Sequence, residues 1–270
     1  MRTLLENKAK LSYNYFKARI LKKKGVDMIF TKKYTTKWHD TDAERRVRAT
    51  QMLVYMQETS NHHMRACGPD LDKLRDEYGL AFLLSKIRFE IYEPLYAFEN
   101  IEVDTWTCPA RGYSILRFYR IRKGEKTIAV ADTTWALMNL NEMTLVTGEA
   151  LDGIYDFQND LPIELDVPKR FKLPTDYSLE CIGTRKIRYS DLDYNMHMNN
   201  TKYPDMLCDF MPIEQTKRIR GFLLSYVNEA AFGDELEINH TFCDGTHYFR
   251  TTKGENKTCL EAMVILGDSE

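Results

Sequence analysis

The run Asp191-Leu-Asp-Tyr-Asn-Met-His-Met-Asn-Asn-Thr-Lys-Tyr203 holds the side chains best suited to chemistry in this chain. Asp191, Asp193, Asn195 and His197 alternate with Leu192, Tyr194, Met196 and Met198. A period of two belongs to extended backbone, which predicts the polar set on one side and the apolar set packed on the other. An imidazole can move a proton near neutral pH, a carboxylate can orient it, and an amide can hold a water or donate to a developing oxyanion. Together they predict acid–base chemistry of a hydrolytic kind. Asn199 and Asn200 follow with the character of a helix N-cap, which would set backbone N–H groups beside the same spot. The duller alternative is a polar turn with one incidental histidine.

The rest of the inventory narrows the chemistry. A Ser-His-Asp hydrolase is disfavoured, because the chain has no G-x-S-x-G elbow. Six cysteines (Cys67, Cys108, Cys181, Cys208, Cys243, Cys259) form no C-x-x-C pair. That spacing excludes a zinc ribbon, argues against a secreted disulfide scaffold and predicts reduced thiols in a cytoplasm. Cys208 and Cys243 lack a local histidine partner and read as packing residues. His62 and His63 are adjacent rather than four apart and belong to a helix surface and core edge, so neither a metal nor a cofactor is implied. With 43% hydrophobic and 29% charged residues the chain is globular. A formal charge of −2 makes no global case for nucleic acid or an anionic membrane. No run approaches the roughly eighteen apolar residues that a membrane span needs.

Elements that could position these residues occur twice. Trp38-His-Asp-Thr-Asp-Ala-Glu-Arg-Arg lies over Tyr189-Ser-Asp-Leu-Asp-Tyr-Asn-Met-His at an offset of 151 residues, Asp42 to Asp193. Ala97-Phe-Glu-Asn-Ile-Glu-Val lies over Phe232-Gly-Asp-Glu-Leu-Glu-Ile at an offset of 135. The difference of 16 implies a longer helix-to-strand connection in the first half, placed at 67–78, which is polar and carries Gly68-Pro69. Each half reads as an extended segment, a helix and several strands. The first helix is expected over 49–64, with Met52, Leu53, Met56 and Ser60 at helical spacing. Its strands fall over 84–91, 101–106, 113–121 and 127–140. The second helix, over 200–210, stops at Met211-Pro212 and precedes strands over 221–228, 235–243, 247–252 and 258–266. Pro162, Pro168 and Pro174 interrupt the joint. The fold class is α+β, one helix per antiparallel sheet, repeated. Domains are expected over 28–150 and 175–270, with a linker over 151–174. Lys23-Lys-Gly-Val-Asp before Met28 is what a purine-rich ribosome-binding site would encode if translated, so 1–27 reads as an extension and Met28 as the natural start. A genuine amphipathic N-terminal helix is the alternative.

The pattern Asp191-Leu-Asp-x-Asn-x-His-x-Asn-Asn-x-Lys-Tyr resembles the signature of plant and bacterial acyl-acyl-carrier-protein thioesterases. Glu90-Ile-Tyr, Thr105-Trp106, residues 135–139 and Leu224-Ser-Tyr-Val-Asn-Glu229 follow in that family's order, so the resemblance runs from about Tyr34 to Leu266. It implies two tandem hot-dog domains, each a helix wrapped by an antiparallel sheet, and hydrolysis of fatty acyl thioesters. The family's acid, amide, histidine and later glutamate fall on Asp193, Asn195, His197 and Glu229. One departure is Ala230, where the family often has a cysteine, so a thiol nucleophile at that position is impossible here. Glu229 with His197 would take a proton from the attacking water, Asn195 would hold that water or the oxyanion, and Asp193 would fix the imidazole and the loop. In the first half Glu44, Arg46 and Pro94 stand at the places of Asn195, His197 and Glu229, so that half has lost the chemistry.

The helix face with Met52, Met56 and Ser60 is expected to meet Phe82, Leu84 and Trp106, and the resemblance implies that the first half lines an acyl tunnel; Asn199 and Asn200 are expected beside the substrate. The implied partner is an acidic acyl carrier protein, for which Arg185, Lys186, Arg188, Lys217, Arg218 and Arg220 are the expected basic rim. A bacterial setting and a homodimer are compatible with it. Two other activities stay open: an acyl-CoA thioesterase, and a non-catalytic acyl-binding or dehydratase-like hot-dog protein.

Overall fold

A computed structural model describes residues 29–155 and 161–268; the expected extension over 1–27 lies outside them. The first half contains β1 (Phe30–Thr35), a 3-10 turn (Trp38–Asp40), α1 (Ala49–Cys67), α2 (Leu71–Tyr78), β2 (Leu80–Ile91), β3 (Asn100–Thr107), β4 (Ile115–Lys123), β5 (Lys126–Asn139) and β6 (Thr144–Val146). The second contains β7 (Glu180–Lys186), 3-10 turns at Tyr189–Asp191 and Asn200–Lys202, α3 (Tyr203–Cys208), α4 (Ile213–Thr216), β8 (Ile219–Tyr226), β9 (Glu235–Cys243), β10 (Thr246–Lys253) and β11 (Lys257–Leu266). The strands form one sheet in the order β1-β3-β4-β5-β2-β8-β11-β10-β9-β7, with β6 beside β5.

The halves meet through β2 and β8, which pair antiparallel with Ile87 opposite Leu224, Arg88 opposite Leu223 and Phe89 opposite Phe222. At the repeat offset of 135, Arg88 and Leu223 are counterparts, so a pseudo-two-fold axis passes through that pair. The apolar stripe of α1 (Met52, Leu53, Met56) packs with Ile87, Phe89 and Val103, and the same core continues into Met206, Leu207, Phe222 and Phe249. Each such side chain contributes about 1.5–3 kcal/mol on burial.

Arg88 is 8% exposed and forms a buried ion pair with Asp132, while its Nη1 donates to Val167 O at 3.0 Å. Glu90 Oε1 accepts from Val167 N at 2.7 Å. These bonds clamp the proline-interrupted joint onto the face of the sheet turned away from the helices. There Val167 packs with Leu223, Tyr248 and Met263, flanked by Phe171, Leu173 and Leu179. Gly221 admits this approach, since a Cβ there would lie 2.7 Å from Val167 Cγ2.

Three local expectations give way. The segment after α1 is not simply a polar loop. Asp70 Oδ1 accepts from Lys73 N at 3.0 Å, Gly79 at φ +65° ends the helix, and Leu74 is fully buried between them. The expected helix over 200–210 is divided into a 3-10 turn, the six residues of α3 and the separate α4. Trp106 does not face α1. Ile101 and Val103 point into the core, so the period of two turns Asp104 and Trp106 outward. Trp106 stacks on Phe118 at 5.9 Å and its Nε1 donates to Leu161 O at 2.7 Å, which makes it an anchor for the joint.

Candidate active site

The signature segment is a tight turn, not extended backbone. Asp193 N donates to His197 O at 2.8 Å and Met196 N to Asp193 O at 3.2 Å. Asp193 Oδ1 accepts from Asn195 N at 2.8 Å and from His197 N at 3.2 Å. This carboxylate braces the backbone and lets Met196 sit at φ +64°, a left-handed conformation that side chains ordinarily avoid. The alternation therefore does not sort polar from apolar. Tyr194 and Met196 are 71% and 55% exposed, whereas Asp191 is buried. Asp191 sits in the preceding 3-10 turn, where its carboxylate accepts from Arg188 N at 2.9 Å and Arg185 Nη2 at 2.6 Å.

Glu229 arrives on the connection from β8 to β9. Met198 N donates to Ala230 O at 2.7 Å, His197 bridges to Ala231, and Phe232 N donates to Met196 O at 3.1 Å. This short ladder brings the turn bearing Asn195 and His197 against the connection bearing Glu229. His197 is half-buried, and Asn195 and Glu229 are exposed, so water and a ligand can reach the site.

Several neighbours were not expected. Asp234 Oδ2 accepts from Ala231 N at 2.9 Å and pairs with Lys253 at 2.6 Å. Lys253, Ala231 N and the His197 charge hold the Asp234 carboxyl below its usual range against the opposing effect of burial. Cys259 Sγ lies 3.8 Å from Glu229 O, and burial raises its thiol. From the other half, the α2 residue Arg75 lies over the Tyr194 ring at 6.0 Å. The Asp70 cap and the Leu71/Leu74 spacing signalled α2 in the sequence; nothing local signalled Asp234.

Other expected residues disperse. Asn199 is the N-cap, its Oδ1 accepting from Thr201 N at 2.9 Å, and Asn200 O accepts from the Tyr226 hydroxyl at 2.8 Å. Met52 and Met56 are 2% and 1% exposed in the packed core. Arg185 is committed to Asp191 and Asp209, and Arg218 to Gly267 O. Lys217, Arg218 and Arg220 flank the start of β8, whereas Glu229 follows its end, about 23 Å away at ~3.3 Å per residue. Arg46 donates to Lys217 O, so these cations gather at the first half's turn rather than at His197. Lys186 and Arg188 are exposed at the His197 end. Burial pushes the Cys208 thiol up to about 12 and raises Cys243, consistent with packing. His63 is buried against Phe30 at 5.3 Å, and burial beside Arg117 pushes it down to about 3.

The family model of the acyl-ACP thioesterase N-terminal domain matches residues 27–152, and that of the C-terminal domain matches 180–266. The chain belongs to the acyl-ACP thioesterase family. A solved acyl-ACP thioesterase from Bacteroides thetaiotaomicron is 26% identical, with a TM-score of 0.77, covering 89% of this chain and 98% of that one. The 12:0-ACP thioesterase from Umbellularia californica shares the fold at a TM-score of 0.76 and 18% identity, covering 90% and 98% of the two chains. The hot-dog architecture expected from the signature is thus present. A chloroplastic acyl-[acyl-carrier-protein] hydrolase of Cuphea viscosissima is 25% identical over 77% of this chain. This chain spans about half of that relative's length, 53%. Among the described residues no helix is long and apolar enough to cross a membrane.

Proposed function

We propose that this protein hydrolyses fatty acyl-acyl-carrier-protein thioesters to free fatty acid and carrier protein, using one site in its second half. The observation that carries this reading is the ladder joining the His197 turn to the Glu229 connection, while Arg46 and Pro94 occupy the matching places of the first half. A thioester carbonyl is electrophilic enough for direct attack by water. Glu229 with His197 takes the water's proton, and Asn195 holds the water or the oxyanion. Such acid–base help is worth about 10²–10⁴ in rate. Asp193 acts one step back, by fixing the turn. No thiol nucleophile is required.

In this reading the acyl chain enters the first half by displacing Met52 and Met56, whose unbranched thioethers repack readily. The carrier approaches the His197 end, where Lys186 and Arg188 offer positive charge. The halves already pair through β2 and β8, so catalysis needs no second copy even if a homodimer forms. A bacterial cytoplasmic setting belongs to the same proposal, supported by the likeness to the Bacteroides chain and by six scattered cysteines with no C-x-x-C pair.

Free-thiol release from matched carrier-protein and CoA thioesters of graded chain length tests the reading. The expected result is a higher kcat/KM for the carrier-protein series. Uniformly higher values for CoA would establish the acyl-CoA alternative, and tight binding without thiol release would establish an acyl-binding protein.

A further inference from the structure

The core between α1 and the sheet of the first half is divided by a polar belt. Ser60 and His63 come from α1, Thr105 from β3, Arg117 and Tyr119 from β4 and Thr133 from β5, and all six are buried. Arg117 Nη1 donates to Thr105 Oγ1 at 3.2 Å and meets His63 Nδ1 at 3.1 Å. Thr133 Oγ1 donates to Arg117 O at 3.3 Å. On one side of the belt Met52, Met56 and Ile121 pack in the main core, and on the other Met64, Leu80, Ile115 and Leu137 form a second cluster. The Tyr119 hydroxyl faces Ser60 and Thr133. It makes no hydrogen bond among the described residues, although Tyr119 is only 1% exposed. A buried hydroxyl in that state costs free energy that the oxygen of a ligand would recover.

The second half shows that the fold does not require this polarity. Cross-strand pairing puts Leu224, Ile87, Thr133 and Arg117 in one row. The pseudo-two-fold axis maps that row onto Ile87, Leu224, Ala262 and Phe249. Ala and Phe therefore serve where the first half carries Thr133 and Arg117. The belt also lies between the candidate active site and the two methionines. Glu229 follows the end of β8 that lies beside the start of β2, and Arg75 of α2, just past the C-terminal end of α1, stands over Tyr194. Met52, Met56 and Ser60 follow one another at four-residue steps along one face of α1. A chain that starts at the His197 site and reaches Met56 and Met52 must pass Ser60.

We propose that the belt determines acyl specificity, favouring a chain that carries a hydroxyl group at the depth of Tyr119 over an unsubstituted chain of the same length. This rests on the reading of the first half as the acyl site. A hydroxyl both donates and accepts, so it can pair with Tyr119 and Ser60 together, whereas a methylene at that depth leaves the Tyr119 hydroxyl unpaired.

The test compares carrier-protein thioesters of one chain length, unsubstituted or with a single hydroxyl at successive carbons. One position should exceed the unsubstituted chain in kcat/KM by about 10-fold, the worth of one well-made hydrogen bond. In Tyr119→Phe that ratio should fall to about one. This variant removes a hydroxyl that bonds to nothing and keeps the ring, and Ser60→Ala serves if it does not fold. No hydroxyl position preferred by the unaltered protein, or a preference that survives in folded Tyr119→Phe and Ser60→Ala proteins, would overturn the proposal. Calorimetric titration with the free hydroxylated and unsubstituted fatty acids reads the same preference without turnover. Failure of the hydrolase reading, seen as no thiol release from any thioester, is thereby recognised separately.

Discussion

The turn at Asp42–Arg46 and the turn at Asp193–His197 are one backbone device made twice. Asp42 Oδ1 accepts from Glu44 N and Arg46 N, both at 2.9 Å, and Asp193 Oδ1 accepts from Asn195 N and His197 N at 2.8 and 3.2 Å. Arg45 and Met196 occupy the same left-handed position, at φ +65° and +64°. Val47 N binds Leu95 O as Met198 N binds Ala230 O. What differs is the side chains carried on that frame. Asn195 and His197 are exchanged for Glu44 and Arg46, and Glu229 for Pro94. Arg46 uses its guanidinium to tie the turn to Lys217 O in the other half, so this turn serves as an interdomain fastening. The aspartate is therefore a mark of the turn, and on the proposed reading the residues two and four positions later decide whether the turn does chemistry.

That distinction can be broken in order of expected effect. Asp193→Ala removes the side-chain acceptor of two backbone N–H groups beneath a strained residue, so the turn relaxes and kcat should fall by about 10- to 100-fold through loss of positioning. Asp42→Ala makes the same cut in the first half and should leave kcat within about twofold, lowering stability by ~1–3 kcal/mol. A comparable loss of kcat from Asp42→Ala would show that the first turn contributes to the site. Next, Arg88→Ala strands Asp132 in the sheet where the halves join, and urea unfolding should show a loss of about 3–5 kcal/mol. A loss under ~1 kcal/mol would mean that the clamp on Val167 bears little of the junction. The smallest effects concern the cations. Charge reversal at Lys186 and Arg188 should raise KM for carrier-protein substrates several-fold at low salt and less at high salt, because screening acts within about 8 Å at physiological ionic strength. Reversal at Lys217 and Arg220 should change it little; the opposite ranking would place the carrier at the first half's turn.

Much of this was legible in the sequence for a physical reason. The repeat offsets of 151 and 135 register the turns and the following connections, and the structure pairs Arg46 with Tyr96 and His197 with Ala231 at those offsets. Strands over 101–106 and 235–243 were readable from their alternation, because one face of the sheet is covered by helices. The alternation in Asp191–Met198 misled, since a side-chain-to-backbone turn spaces residues two apart without extending them. Trp106 misled differently. Its apolar character suggested the helix face, but the joint between the halves covers the other face of the sheet and supplies a second apolar surface. The expected basic rim divides between two ends of the sheet, because charge clustering along the chain says nothing about which end of β8 each cation occupies.

One comparison bears most directly on a single active site in the second half: kcat for His197→Ala against Arg46→Ala, measured on the same acyl-carrier-protein thioester with folding verified by thermal melting. His197→Ala should lose about 10²-fold or more, as expected for removal of acid–base help, and Arg46→Ala should stay within a few-fold of the unaltered protein. Equal losses in two folded variants would mean that both turns take part in one reaction, and a fully active His197→Ala protein would move the chemistry elsewhere.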